Sequence, residues 1–170
     1  MEAFSLTPIA TVVGGRREPI DDGWGEVHAR IQLTDEMPDG LLAGLEEFSH
    51  LEVIFVFHLV DTSTPFASTR RPRGRADLPE VGALAQRHKD RIGRLGLSRC
   101  TILEVADRSV LVAGLDAIDG TPVVDLKPWF DAFGPRGARR EPCWVDSITT
   151  SYFTPTVPEA PHLRQSSGES

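Results

Sequence analysis

The sequence predicts a mainly β fold, a small single-domain β-barrel with one or two short helices and long loops. Three observations carry that expectation. Short β-branched or alternating apolar runs recur along the chain, each bounded by turn residues. Thirteen prolines and fifteen glycines in 170 residues supply the turns. No strand–helix–strand alternation occurs, and no Gly-x-Gly-x-x-Gly follows a strand, so a parallel nucleotide-binding sheet is not expected. The barrel is expected to be open.

Thr7 to Val13 is apolar and β-branched until Gly14-Gly15 breaks it, and it predicts the first strand. Val27 to Leu33 alternates apolar and polar residues, the period-two pattern of a half-buried strand. Asp35 to Gly40 carries turn residues, and Leu41 to Phe48 predicts a short helical turn or two. Leu51 to Val60 is apolar at nearly every position, which predicts a strand buried on both faces. Asp61 to Pro79 has no periodicity and predicts a long loop. Strands are expected at Val81–Ala85, Ser98–Ala106 and Ser109–Leu115, the last two joined by a turn at Asp107-Arg108. The Asp119-Gly120 turn leads into a strand over Pro122–Trp129. The barrel domain is therefore placed at 1–153. A disordered tail is expected over 154–170, where Pro155, Pro158 and Pro161 precede a Ser-rich end.

Composition excludes several classes. Cys100 and Cys143 are too few for a disulfide scaffold and lack zinc-site spacing, so both are expected as buried small hydrophobes in a reducing compartment. Met-Glu-Ala-Phe-Ser has no basic or apolar leader region, and the run Val53–Val60 is too short to cross a bilayer. A cytoplasmic location without membrane attachment is expected. A net charge of −7 argues against a protein held to nucleic acid by an overall basic surface, although segregated charge permits it.

Three patches carry chemistry. In Gly82–Ser98 a strand runs into a cationic loop, where Arg87, Arg91 and Arg94 suit carboxylates or phosphates. Gly93 and Gly96 there allow close backbone approach or positive φ. A solvated charged hairpin accounts for the same residues. In Gly114–Trp129, Asp116 and Asp119 flank a tight turn and suit a ribose diol or an amino group; Asp119-Gly120 equally makes a plain hairpin turn. Asp125 and Lys127 share a strand face and are expected to pair. His58 ends the apolar strand next to Asp61, and is read either as a satisfied core histidine or as a site-lining one. Arg70, Arg71, Arg73 and Arg75 form the one dense cationic cluster.

Pro8-Ile9-Ala10-Thr11-Val12, Gly44 to Leu51, Phe55-Val56-Phe57-His58, Gly82 to Ser98 and Leu115 to Pro128 come in the order seen in the TrmO/TsaA-like proteins, tRNA N6-threonylcarbamoyladenosine methyltransferases. The resemblance covers roughly residues 5 to 153. It implies a compact β-barrel that binds S-adenosylmethionine, commonly as a homodimer, and methylates N6 of a hypermodified adenosine in tRNA. By residue match the cofactor is held by Asp21, Asp22, His58, Leu59, Arg87, Leu97, Asp116 and Ala117. Arg70, Arg71, Arg73, Arg91 and Lys127 are the expected substrate contacts, and His58, Asp119 and Asp22 the candidate proton acceptors. No metal is called for.

Two departures stand out. Where the family carries Arg-Pro-Asn-Pro or Arg-Pro-Asn-Arg, this chain has Arg91-Ile92-Gly93-Arg94. Loss of the proline is expected to free the loop, and loss of the asparagine removes an amide donor and acceptor. The C-terminal tRNA-engaging domain of longer members is expected to be missing. These departures keep two alternatives open: a methyltransferase repurposed for a small molecule in a biosynthetic pathway, and a non-catalytic cofactor-binding module.

Overall fold

The computed structural model describes residues 5–154. Six antiparallel strands close into a barrel: β1 (Ala10–Val13), β2 (His28–Leu33), β3 (His50–Val56), β6 (Leu95–Ala106), β7 (Ser109–Ala113) and β8 (Pro122–Pro128). Around the barrel they run β1-β2-β7-β6-β3-β8. Between β3 and β6 the chain forms a two-stranded ribbon, β4 (Thr69–Arg70) with β5 (Val81–Gly82). Among the described residues one α-helix, α1 (Trp144–Thr149), follows the barrel.

The barrel is closed, where the sequence predicts an open one. Only two residue pairs close it, Ala10 opposite Val123 and Thr11 opposite Pro122. Such a long-range pairing leaves no local signature in the chain. Closure removes the exposed sheet edges. Inward residues from every strand fill the lumen, among them Val12, Ile31, Leu51, Val53, Phe55, Val110, Val112 and Val123.

Several elements differ from expectation. β3 stops at Val56 and alternates buried with half-buried residues, so only one face is fully buried. A closed barrel needs one apolar face, and the outward Ile54 and Val56 are only half covered. Val81–Ala85 is not one strand: β5 ends at Gly82, and Ala83–Ala85 forms a 3₁₀ turn started by Ala83 N–H donating to Ser68 O (2.9 Å). β6 begins at Leu95 and runs twelve residues, bending at a register shift between Ile102 and Glu104. Cys100 is buried as expected, but Cys143 is exposed just ahead of α1. That helix was not legible, since Trp144–Thr149 is too short to show a period. The expected tail lies outside the described residues apart from Thr154.

Topology then divides the loops. β1, β3 and β7 leave the barrel at the end where β2, β6 and β8 enter it, so loops 14–27, 57–94 and 114–121 share one rim. The opposite floor carries residues 34–49, the Asp107-Arg108 turn and the start of the segment after Pro128.

Candidate functional site: the barrel rim

The rim loops are laced together by named bonds. Gly14 N–H donates to Asp119 Oδ1 (2.8 Å), and Asp119 N–H to Arg16 O (2.8 Å), joining the first loop to the third. Arg73 forks onto both carboxylate oxygens of Asp22 (2.7 and 2.9 Å), joining the first to the second. The segment after α1 returns to the same rim, where Gly23 N–H donates to Ser151 O (3.0 Å) and Trp24 N–H to Tyr152 O (2.8 Å). Arg16 lies over the buried Trp24 ring, 4.4 Å from its centroid.

The Asp116 carboxyl lies buried in the third rim loop. Its Oδ2 accepts a hydrogen bond from Tyr152 Oη at 2.6 Å, while Oδ1 is buried without a partner. Burial is the largest influence and holds the carboxyl above its ordinary range, although the Tyr152 hydrogen bond and the Arg87 charge pull the other way. Burial together with the Asp116 charge also pushes the Tyr152 phenol up. Cys100, an inward residue of β6, senses the same carboxylate, and burial with that charge raises its thiol. Nearby on β6, the buried Ser98 Oγ also lacks a partner. Arg87 donates to Leu97 O (2.7 Å), which fixes the guanidinium against the start of β6.

The structure thus brings Asp21, Asp22, Arg87, Leu97, Asp116 and Ala117 to one rim, with Ala117 buried and Leu97 37% exposed. His58 and Leu59 lie on this rim too, in the turn after β3 rather than on the strand. Phe57 N–H donates to Arg94 O (2.9 Å) and ties that turn to the loop before β6. Asp61 does not face His58; its carboxylate binds Ser63 and Thr64.

Several expected site residues are occupied structurally. Arg70 pairs with Asp90 (2.7 Å), Arg75 with Asp77 (2.5 Å), and Arg71 donates to Leu78 O. With Arg73 on Asp22, the cationic cluster is largely neutralised by the chain itself. Arg91 donates to Ala83 O (3.2 Å) and to Gln86 O, which anchors the Ile92-Gly93 loop expected to be free. Positive φ in that loop falls on Arg94 (φ 49°), not on Gly93 or Gly96. Lys127 lies on β8 opposite Glu52 towards the floor, and it pairs with Asp125 (2.5 Å) as expected.

The sequence pattern gives no site role to Tyr152, Arg16, Trp24 or Ser98. Tyr152 had one available signal: it is the chain's sole tyrosine. Among the described residues no group of three or more His, Cys, Asp or Glu is placed to hold a metal ion.

Comparison with known proteins settles the kinship. The tRNA-methyltransferase O N-terminal domain family matches residues 17–134, well over half of the chain. The chain belongs to that family. It is 37% identical over 92 residues to the tRNA (adenine(37)-N6)-methyltransferase of Mus musculus, which covers 54% of this chain and 21% of the relative. It is 34% identical over 113 residues to a probable S-adenosyl-L-methionine-binding protein of Methanothermobacter thermautotrophicus, covering 66% of this chain and 77% of the relative. A crystal structure of TrmO from Pseudomonas aeruginosa superposes with a TM-score of 0.67 at 21% identity, over 84% of this chain and 62% of that one. The last match establishes the shared fold. The chain spans about a fifth of the mouse relative's length.

Proposed function

We propose that this chain is an S-adenosylmethionine-dependent methyltransferase whose acceptor is N6 of a modified, threonylcarbamoyl-bearing adenosine in tRNA. Family membership supports the reaction class, as do relatives named for adenine-N6 methylation of tRNA and for S-adenosylmethionine binding. The observation that carries the reading to this chain's own residues is the buried, unpartnered Oδ1 of Asp116 on a rim shared with Arg87. A buried acceptor without a protein partner is costly to leave unmet, and a ligand donor would meet it.

The residues present fit the cofactor. Asp116 accepts from a ribose hydroxyl or an amino group, Arg87 suits a carboxylate, and Leu97 and Ala117 offer apolar wall. The cofactor supplies an already activated methyl group, so the protein's task is chiefly alignment. The lacing of the rim loops holds these groups in a fixed relation before any ligand arrives. Of the three candidate proton acceptors, Asp22 is held below its usual range, first by the Arg73 hydrogen bond, and is a weak base. Asp119 is engaged by Gly14 N–H. His58, half-buried on the rim, is the proton acceptor in this reading.

The loss of phosphate-binding capacity in the Arg70–Arg75 cluster favours a second reading, methyl transfer to a small molecule. Incubation with labelled S-adenosylmethionine and total tRNA separates the two. Label in a modified adenosine supports the tRNA reading, and label confined to a small-molecule fraction replaces it. A cytoplasmic homodimer belongs to the proposal on family resemblance, with light scattering as its test of assembly. No described helix is long and apolar enough to cross a membrane.

A further inference from the structure

We infer that the segment from Trp129 to Arg140 is a binding track for single-stranded RNA, with Phe130 and Phe133 as its stacking platform and Arg136, Arg139 and Arg140 as its phosphate contacts. As a route for tRNA this rests on the reading above; as an RNA-binding surface it stands on its own observations.

Three aromatic rings make an unfinished stack on the barrel floor. Phe48 stacks on Phe130 (centroids 5.6 Å, 27°), and Phe130 lies 5.7 Å from Phe133 at 34°. The stack ends in solvent: Phe133 is 76% exposed and Phe130 43%. A nucleobase extends such a stack without regard to its identity, because every base offers a π-face.

The charge that follows it in the chain is unusual for this molecule. The chain carries −7 overall, and Arg70, Arg73 and Arg75 are each paired with a carboxylate. Arg136, Arg139 and Arg140 are exposed, and among the described residues none of them forms an ion pair. Asp131, between Phe130 and Phe133 in the chain, is engaged by the Trp129 indole N–H (2.9 Å). Glu141 follows the arginines directly and offsets part of their charge. Exposed aromatics followed three to seven residues along the chain by cations without an ion pair supply the two parts of single-strand recognition, the cations on phosphate and the rings on bases.

The path of the segment gives the surface a direction. Trp129 N–H donates to His50 O (3.0 Å) at the floor, whereas Ser147 O accepts from Arg75 (3.0 Å) on the rim side. In sequence the three arginines fall between these two anchors, on the segment that joins the floor to the rim side.

The test is a fluorescence-anisotropy titration of the full chain with a labelled, unstructured oligoribonucleotide of about ten nucleotides, at several salt concentrations. Phe133→Ala is expected to weaken binding about tenfold with an unchanged salt slope. Arg136→Ala/Arg139→Ala/Arg140→Ala is expected to make the log–log salt slope shallower by about two. S-adenosylmethionine affinity, measured on the same three proteins, is expected to be equal in all of them and confirms that the variants are folded. Wild-type affinity and slope in both variants would overturn the track, as would a wild-type chain that binds no RNA. A dimer that Phe133→Ala converts to monomer, with RNA binding unchanged, would assign the platform to a second copy and overturn it as well. Failure of all three proteins to bind S-adenosylmethionine would sink the methyltransferase reading while leaving the RNA result to be judged by its own slope.

Discussion

Asp116 is a residue that stability alone would not choose. Its carboxyl is held above the ordinary range by burial, so the folded chain retains this proton to higher pH than the unfolded chain does. The contribution to stability is therefore fullest below the unfolded value near 3.8 and declines as pH rises through the folded value. Asp116→Asn keeps an acceptor for Tyr152 and removes the buried charge. It is expected to raise Tm at pH 7 by about 2–4 °C, with the difference from wild type vanishing below about pH 4. The same variant is expected to bind S-adenosylmethionine more weakly, a trade of function for stability visible by pairing thermal melts with calorimetry. Tyr152→Phe removes the one donor to Asp116 Oδ2 and is expected to cost about 1–3 kcal/mol in urea unfolding. Asp116 was readable from its place in a turn-flanking motif. Its partner was not, because 36 residues separate them and no local pattern records that contact.

At the scale of elements, the strands with clear alternation were legible and those shaped by long-range contacts were not. Val27 to Leu33 announced β2 through its period of two, which the barrel preserves as alternating burial. Leu51 to Val60 misled in length and in burial, since apolar content alone does not say where the chain turns away. Gly93, just before β6, and Gly96, within it, separate by environment. A Cβ on Gly96 would land inside the buried Phe55 ring directly across the ladder, whereas Gly93 faces nearly open space without positive φ. Gly96→Ala is expected to destabilise by about 1–3 kcal/mol and Gly93→Ala to be close to neutral. Chemical denaturation of both variants checks the contrast. Comparable losses would show that the β3–β6 register differs from Phe55 opposite Gly96.

Across the whole molecule, antiparallel closure converts dispersed motifs into a site. Six strands alternate in direction, so every second loop reaches the same rim, and residues from 16 to 152 meet there. The sequence indicated which loops carry chemistry but not which arginines were spent on their own carboxylates. Composition counts Arg70 to Arg75 as available charge, whereas the fold pairs Arg70, Arg73 and Arg75 with carboxylates and leaves Arg136, Arg139 and Arg140 without an ion pair among the described residues. We propose that this rim holds S-adenosylmethionine through Asp116 and Arg87. Isothermal titration of the purified chain and of Arg87→Ala with S-adenosylmethionine tests it most directly. Wild-type binding is expected at about micromolar Kd, with a loss of tenfold or more in the variant, about 1.4 kcal/mol. Absence of binding in the wild type, or binding indifferent to Arg87, would contradict it.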